Sequence, residues 1–229
     1  RSARAEESDV RCPHPKAAEA MRTHIRETMK AKDTLGGVFE VVALGVPPGL
    51  GSHVHWDRKI EGRLAQAMLS IHAIKGTEVG PAFENARRAG TEVHDEIILE
   101  GERVTRRTNR AGGTEGGVTT GQPLLVRAAM KPLSTTLNPL QTVDLASGNP
   151  SPTTYERSDF CAVPRAAVVG EAMVAFVLAD ELLRKLGGDS LAEIKSRFEE
   201  LRTATLDDLR MDAQKQIFFR QHEMMERAR

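Results

Sequence analysis

Residues 109–135 read NRAGGTEGGVTTGQPLLVRAAMKPLST, and two textures meet in that stretch. Gly112, Gly113, Gly116, Gly117 and Gly121 crowd its first half. Glycine takes positive φ cheaply and leaves the backbone open to close approach. Gly/Thr loops of this kind can point several N–H groups at one anion. The second half alternates. Leu124, Val126, Ala128 and Met130 fall on one face of a strand, and Leu125, Arg127, Ala129 and Lys131 on the other. Two cations on one strand face need water or an anion, because burial alone is costly. Pro132 ends the strand, and Ser134, Thr135 and Thr136 follow with hydroxyls. Two readings stay open on these residues. One is a site for a phosphorylated ligand. The other is a set of tight turns beside a solvated Lys/Arg edge. There is no GxxxxGK[ST] run and no GxGxxG after a strand, so neither nucleotide fingerprint applies.

The whole chain bounds the choice. Its 229 residues suffice for one large domain or two small ones, with a core that needs no staples. Lys+Arg and Asp+Glu both number 32, which argues against a general nucleic-acid binder and allows local basic pockets. Cys12 and Cys161 lie far apart and form no metal-type pair, so a reduced, cytoplasmic setting is expected. No apolar run approaches the ~20 residues of a membrane span. The opening RSARAEESDV has no signal-peptide core. Aromatics stand at 4%, too few for a single-strand stacking platform.

Outward from the central stretch, the pattern alternates helix and strand. Residues 1–11 read as a lead-in. Lys16 to Lys32 is a helix with Ala17, Ala20, Met21 and Ile25 on one side, and Asp33 to Gly37 a turn. Val38 to Val46 is a strand closed by Pro47-Pro48-Gly49. His53 and His55 share the next loop without a third metal ligand nearby. Asp57 to Lys75 is an amphipathic helix on Ile60, Leu64, Met68, Ile71 and Ile74, with Gly76 as its stop. His72 then falls in the last turn. Glu92–Leu99 and Arg103–Thr108 form a hairpin around Glu100-Gly101, and Leu140 to Ala146 is another strand. Pro164 opens a helix to Leu186 with too many apolar residues for one stripe, so it reads as largely buried. From Leu191 the chain is a charged helical tail. The fold class is therefore α/β of the α+β type, with a core over 1–190 and a tail over 191–229.

Four segments carry a resemblance. GVPPGLGSHVHWDRKIEGRLAQAMLSIHAIKGTEVG, TNRAGGTEGG, RAAMKPLSTT and ERSDFCAVPRAAVVGEAM occur in the order and at the spacings of chorismate synthase. The likeness runs from about Leu35 to Ser190. The family's front part, with its Gly-Ser-His-Gly type motif, is not matched, so the chain resembles the back half or more of such a protein.

The resemblance implies a β-α-β sandwich, a homotetramer, and an enzyme requiring reduced FMN. The implied reaction is a 1,4-anti elimination of phosphate from 5-enolpyruvylshikimate 3-phosphate, giving chorismate. Whether a nicotinamide cofactor (NADP) reduces the flavin on the same protein is left open. The positions that match flavin contacts are His72, Ala73, Gly116, the run Lys131, Pro132, Leu133, Ser134 and Thr135, and Arg157. Asp159 matches an aspartate that assists proton transfer near the flavin's N5. On the residues alone, Asp159 could equally pair with Arg157 or cap the helix opening at Pro164. The competing reading is a non-catalytic homologue that binds flavin or phosphate, or assembles, without chemistry.

Overall fold

The computed structural model describes residues 2–156 and 159–201. In chain order these form α1 (Ser2–Glu6), α2 (Pro15–Lys30), β1 (Gly37–Ala43), a 3-10 turn (Trp56–Arg58) and α3 (Ile60–Leu69). Then come β2 (Ile74–Val79), α4 (Ala82–Asn85), α5 (Gly90–Val93), β3 (Ile97–Glu100), β4 (Arg103–Arg106), β5 (Thr114–Glu115), β6 (Val118–Thr119) and β7 (Leu124–Met130). The last are β8 (Gln141–Val143), β9 (Pro150–Pro152), α6 (Val163–Leu186) and α7 (Leu191–Glu199). They divide into two compact units. One comprises Arg1–Asp95 and Thr108–Leu201, and the other includes Glu96–Arg107, which is the β3–β4 hairpin.

The alternating stretch lies at the centre of the first unit. β7 is the middle strand of an antiparallel sheet ordered β1-β7-β2. Leu124, Val126 and Ala128 are at most 1% exposed on its inner face, as the alternation requires. α3 and α6 pack on that face, α3 against β2 and α6 against β1. Ile60, Leu64 and Met68 of α3 are fully buried there. Each such side chain contributes ~1.5–3 kcal/mol by leaving water. This is the α+β arrangement expected from the sequence.

Several boundaries differ, each for a local reason. α3 stops at Leu69 with Ser70 as its cap, and Ile74 begins β2 instead of ending the helix. The i, i+3 spacing of Ile71 and Ile74 carries across the turn by coincidence. Gly76 sits at a register shift of β2, not at a helix end. β1 closes at Ala43 because Gly45 has φ +69, although Val46 is still buried. In α2 the sunken residue is Ala18, with Met21 and Ile25 half-buried, whereas Ala17 and Ala20 face solvent. Glu92 lies in α5, where its carboxylate accepts from the Ala89 N–H at 3.1 Å, so β3 starts only at Ile97. The lead-in contains α1, and Arg11 ties it down through Glu6 (2.9 Å) and Glu171 (3.1 Å). Pro150–Pro152 pairs with β8 as a strand that its prolines disguise.

α6 is the largest departure. It buries one stripe, Val163, Ala166, Gly170, Val174, Val177 and Glu181. Met173, Leu178 and Leu182 pack against the core beside that stripe, but four further apolar residues face outward, with Val168 47%, Val169 48%, Phe176 69% and Leu183 50% exposed. Among the described residues no helix is long and apolar enough to cross a membrane.

Candidate functional site

Two regions at opposite ends of β7 hold the candidate residues. The glycine-rich loop precedes β7. There β5 and β6 form a hairpin whose two turn residues, Gly116 (φ +62) and Gly117 (φ +94), both take positive φ. A two-residue turn matching the strands' twist requires that. Several of the loop's amides are spent on protein carbonyls. Thr119 N donates to Leu50 O (3.0 Å) and Thr120 N to Gly113 O (2.9 Å). The Gly117 carbonyl accepts from Ile60 N at 3.0 Å, docking the turn on the start of α3. Thr119, 2% exposed, donates its hydroxyl to Pro47 O (2.6 Å) and accepts from Leu50 N (2.9 Å). Gly116 differs from its neighbours. It is exposed, and a Cβ there would meet nothing within 4 Å.

The entry to this loop is fixed by a residue that spacing did not flag. Asp95, 8% exposed, accepts from Thr108 Oγ1 (2.5 Å), Arg110 N (2.8 Å) and Ala111 N (2.8 Å). A carboxylate with that many donors organises the backbone around it. The only sequence cue was an acidic residue just before a hairpin.

The two cations of the β7 outer face have separate fates. Arg127 stands between carboxylates on the flanking strands, 2.8 Å from Glu78 and 3.6 Å from Glu40. It lines a cavity of about 390 Å³ together with Glu40, Gly80, Pro81 and Arg110. Cross-strand pairing therefore answers the requirement that this cation find a partner. Lys131, just past the strand, is exposed and pairs with no carboxylate among the described residues.

At that second end the chain draws several candidates together. The Lys131 N–H donates to Ala73 O at 2.9 Å. Ala73 holds φ +66, a conformation rare for a residue with a side chain. His72 beside it is exposed. Thr34 Oγ1 donates to Leu133 O (2.6 Å), and Leu35 N donates to Phe160 O (2.7 Å). Leu35 also bridges Cys161. The Lys131–Thr135 run and the segment after Asp159 thus adjoin the 34–36 connection, and Ala73, with His72 beside it, adjoins the run at Lys131. Asp159 forms an ion pair with Arg165 in the first turn of α6. Arg157 lies outside the described residues. Gly116 does not join them. It sits at the start of α3 and Ala73 beyond its end, with ten helical residues between, or ~15 Å.

Comparison with known proteins bears on this geometry. A family model described as chorismate synthase matches residues 1–183. The chain belongs to the chorismate synthase family. It is 56% identical to the chorismate synthase of Aquifex aeolicus over 198 residues, covering 86% of this chain and 50% of the relative. It is 51% identical to that of Rubrobacter xylanophilus over 211 residues, covering 92% of this chain and 54% of the relative. A crystal structure of chorismate synthase aligns with a TM-score of 0.73 at 51% identity, over 86% of this chain and 52% of that one. The chain spans about half the length of the curated chorismate synthases it matches.

Proposed function

We propose that this chain carries the flavin-binding part of a chorismate synthase. The activity is elimination of phosphate and a ring hydrogen, in 1,4-anti fashion, from 5-enolpyruvylshikimate 3-phosphate with reduced FMN. What supports the reading is that the Lys131–Thr135 run is bonded to Ala73 at one end and to Thr34 at Leu133, while Leu35 next to Thr34 bonds the segment after Asp159, with the Lys131 ammonium exposed. An ammonium, an imidazole at His72 and a hydroxyl at Ser134 suit a ligand that has a planar ring and a phosphate. When bound, reduced FMN supplies the electron-rich ring that side chains lack.

The chain's own groups would do the following. Lys131 and Arg157 offset phosphate charge, and preorganised cations of this kind stabilise charge that grows as a phosphate leaves. Ala73, Pro132 and Leu133 shape the wall, and Ser134 and Thr135 offer hydroxyls. Gly116 leaves room at the far end. Asp159 holds or gives a proton at its carboxylate, with Arg165 fixing its orientation. Residues 1–190 make up the family core and 191–229 a charged tail, in a cytoplasmic homotetramer.

The test is flavin binding by the purified chain, followed by fluorescence quenching. Saturable binding of FMN is expected, weakened about tenfold or more in Lys131→Ala with an unchanged melting temperature. Absence of saturable binding would overturn the reading. A second reading, an assembly module without chemistry, draws on the outward apolar row of α6. It predicts self-association that Phe176→Asp abolishes, seen by sedimentation, without any flavin binding.

A further inference from the structure

We infer that Thr34 is a positioning residue for the Lys131–Thr135 run, and that the Ser134 N–H is the backbone donor it presents to a ligand's anionic group. The inference rests on the reading of that run as a cofactor site. The run leaves the sheet at Pro132, which has no N–H to anchor it. Lys131 N is tied to Ala73 O at 2.9 Å. Two residues on, Leu133 O accepts the Thr34 hydroxyl at 2.6 Å. Thr34 is 9% exposed, and its own N–H donates to Asp33 Oδ1 at 2.8 Å, so the donor is held in place. The peptide unit is planar and trans, so its C=O and N–H point in opposite directions. Holding the Leu133 carbonyl on the buried Thr34 therefore turns the Ser134 N–H away from Thr34, and Ser134, like Lys131, is exposed.

The neighbouring residues reinforce this. A Cβ on Gly36 would come within 2.3 Å of Met130 O, so only glycine lets the connection approach the end of β7 this closely. Leu35 N reaches Phe160 O at 2.7 Å. Asn138 Nδ2 reaches back to Ala31 O at 2.8 Å, closing the far side of the run. Residues 31–36 thus register the run against the segment after Asp159, although the sequence shows there only a turn before a strand.

The test pairs Thr34→Val, which keeps shape and loses the donor, with Thr34→Ser, which keeps the donor. NMR of the chain without flavin should show the Leu133 carbonyl and Ser134 amide resonances moved in Thr34→Val and returned in Thr34→Ser, with core resonances such as those of Leu64 and Val174 in place. FMN affinity, by fluorescence, should fall about fivefold to tenfold in Thr34→Val and recover in Thr34→Ser. Unmoved Leu133 and Ser134 resonances, or shifts spread through the core, would overturn the anchoring. Unchanged FMN affinity in Thr34→Val would overturn its part in binding. If the unsubstituted chain binds no FMN, the cofactor reading fails, and the resonances alone decide the anchoring.

Discussion

The two ends of β7 look alike in sequence, each with small, polar or basic residues, and they behave oppositely. Before the strand, the glycine-rich loop turns inward. Its amides serve Leu50 O and Gly113 O, and its Gly117 carbonyl serves the first turn of α3. After the strand, Lys131 and Ser134 remain exposed, and the backbone is held from behind by Ala73 and Thr34. A ligand needs donors that the protein has not already used. By that measure the bonded part of the loop around Thr119 and Thr120 is scaffold, and the proposed binding surface is the short run after Met130. Gly116 is the exception, open where its neighbours are closed.

The comparison breaks most readily at Gly117. A Cβ there would lie 2.7 Å from Ser52 O, on a backbone with φ +94. Gly117→Ala should cost about 3 kcal/mol or more, from strain and overpacking together. Gly116→Ala meets only the conformational cost, about 1 kcal/mol. Denaturant midpoints of the two variants check this, and equal losses would refute the scaffold role of the closed loop.

At the other end the larger effect belongs to Asp159. In protein that turns substrate over, Asp159→Asn should lower turnover by ~10²-fold while flavin affinity stays near normal. Its ion pair with Arg165 is largely exposed, 45% on the aspartate and 74% on the arginine, so loss of the pair should cost under about 1 kcal/mol of stability. A lower melting temperature with unchanged turnover per folded molecule would make Asp159 structural instead.

These contrasts mark where the sequence was legible. The β7 alternation is a period-two pattern with one side buried, and such a pattern leaves few other folds. The inner residues of α3 were readable for the same reason, but its end was not. Ile71 and Ile74 keep helical spacing while Ala73 takes φ +66 between them, a choice made by the bond from Lys131 N. The surplus of apolar residues in α6 announced contact without saying with what, so burial in this chain was the wrong inference for Val168 and Phe176. At the site, the motif residues stood out, but Arg127 and Lys131 shared one strand face in sequence. Only the flanking strands, bringing Glu40 and Glu78, separate a paired cation from a free one. Thr34 and Asp95 were missed because each acts through a contact distant in the chain. The glycine pair at Gly36-Gly37 was the available hint of close backbone approach.

That division of the two cations can be sharpened by a matched pair. Lys131→Ala should leave stability within about 0.5 kcal/mol and weaken FMN about tenfold. Arg127→Ala should leave Glu78, 13% exposed, without its cation, destabilise the sheet by about 1–3 kcal/mol and change flavin affinity little. Exchanged outcomes in melting and titration would place the anion site on the sheet face instead.

The smallest expected effect concerns the closed end, where α3 is pinned to α6. Arg63 reaches Asp180 at 2.6 Å and also Glu181, which is 6% exposed. Burial alone would lower the Arg63 guanidinium, but its bonds to the two carboxylates outweigh that and hold it above its ordinary value. The Arg63 bond in turn pulls Asp180 below the usual aspartate range, helped by the charge of Arg184. A depressed carboxylate stabilises the fold in its ionised form. Its contribution is complete above the unfolded aspartate value of about 3.9 and disappears as pH falls through the lower folded value. The melting temperatures of the unsubstituted chain and of Asp180→Asn should therefore differ by a constant margin from about pH 7 to pH 5. The margin should shrink below about pH 4, where protonation makes the two side chains alike in charge. Lys131→Ala lies at the other end of the sheet and should leave that acid-dependent margin unchanged. A margin that grew on acidification would mean Asp180 is held in its protonated form, and Arg63 would then not be its partner in solution.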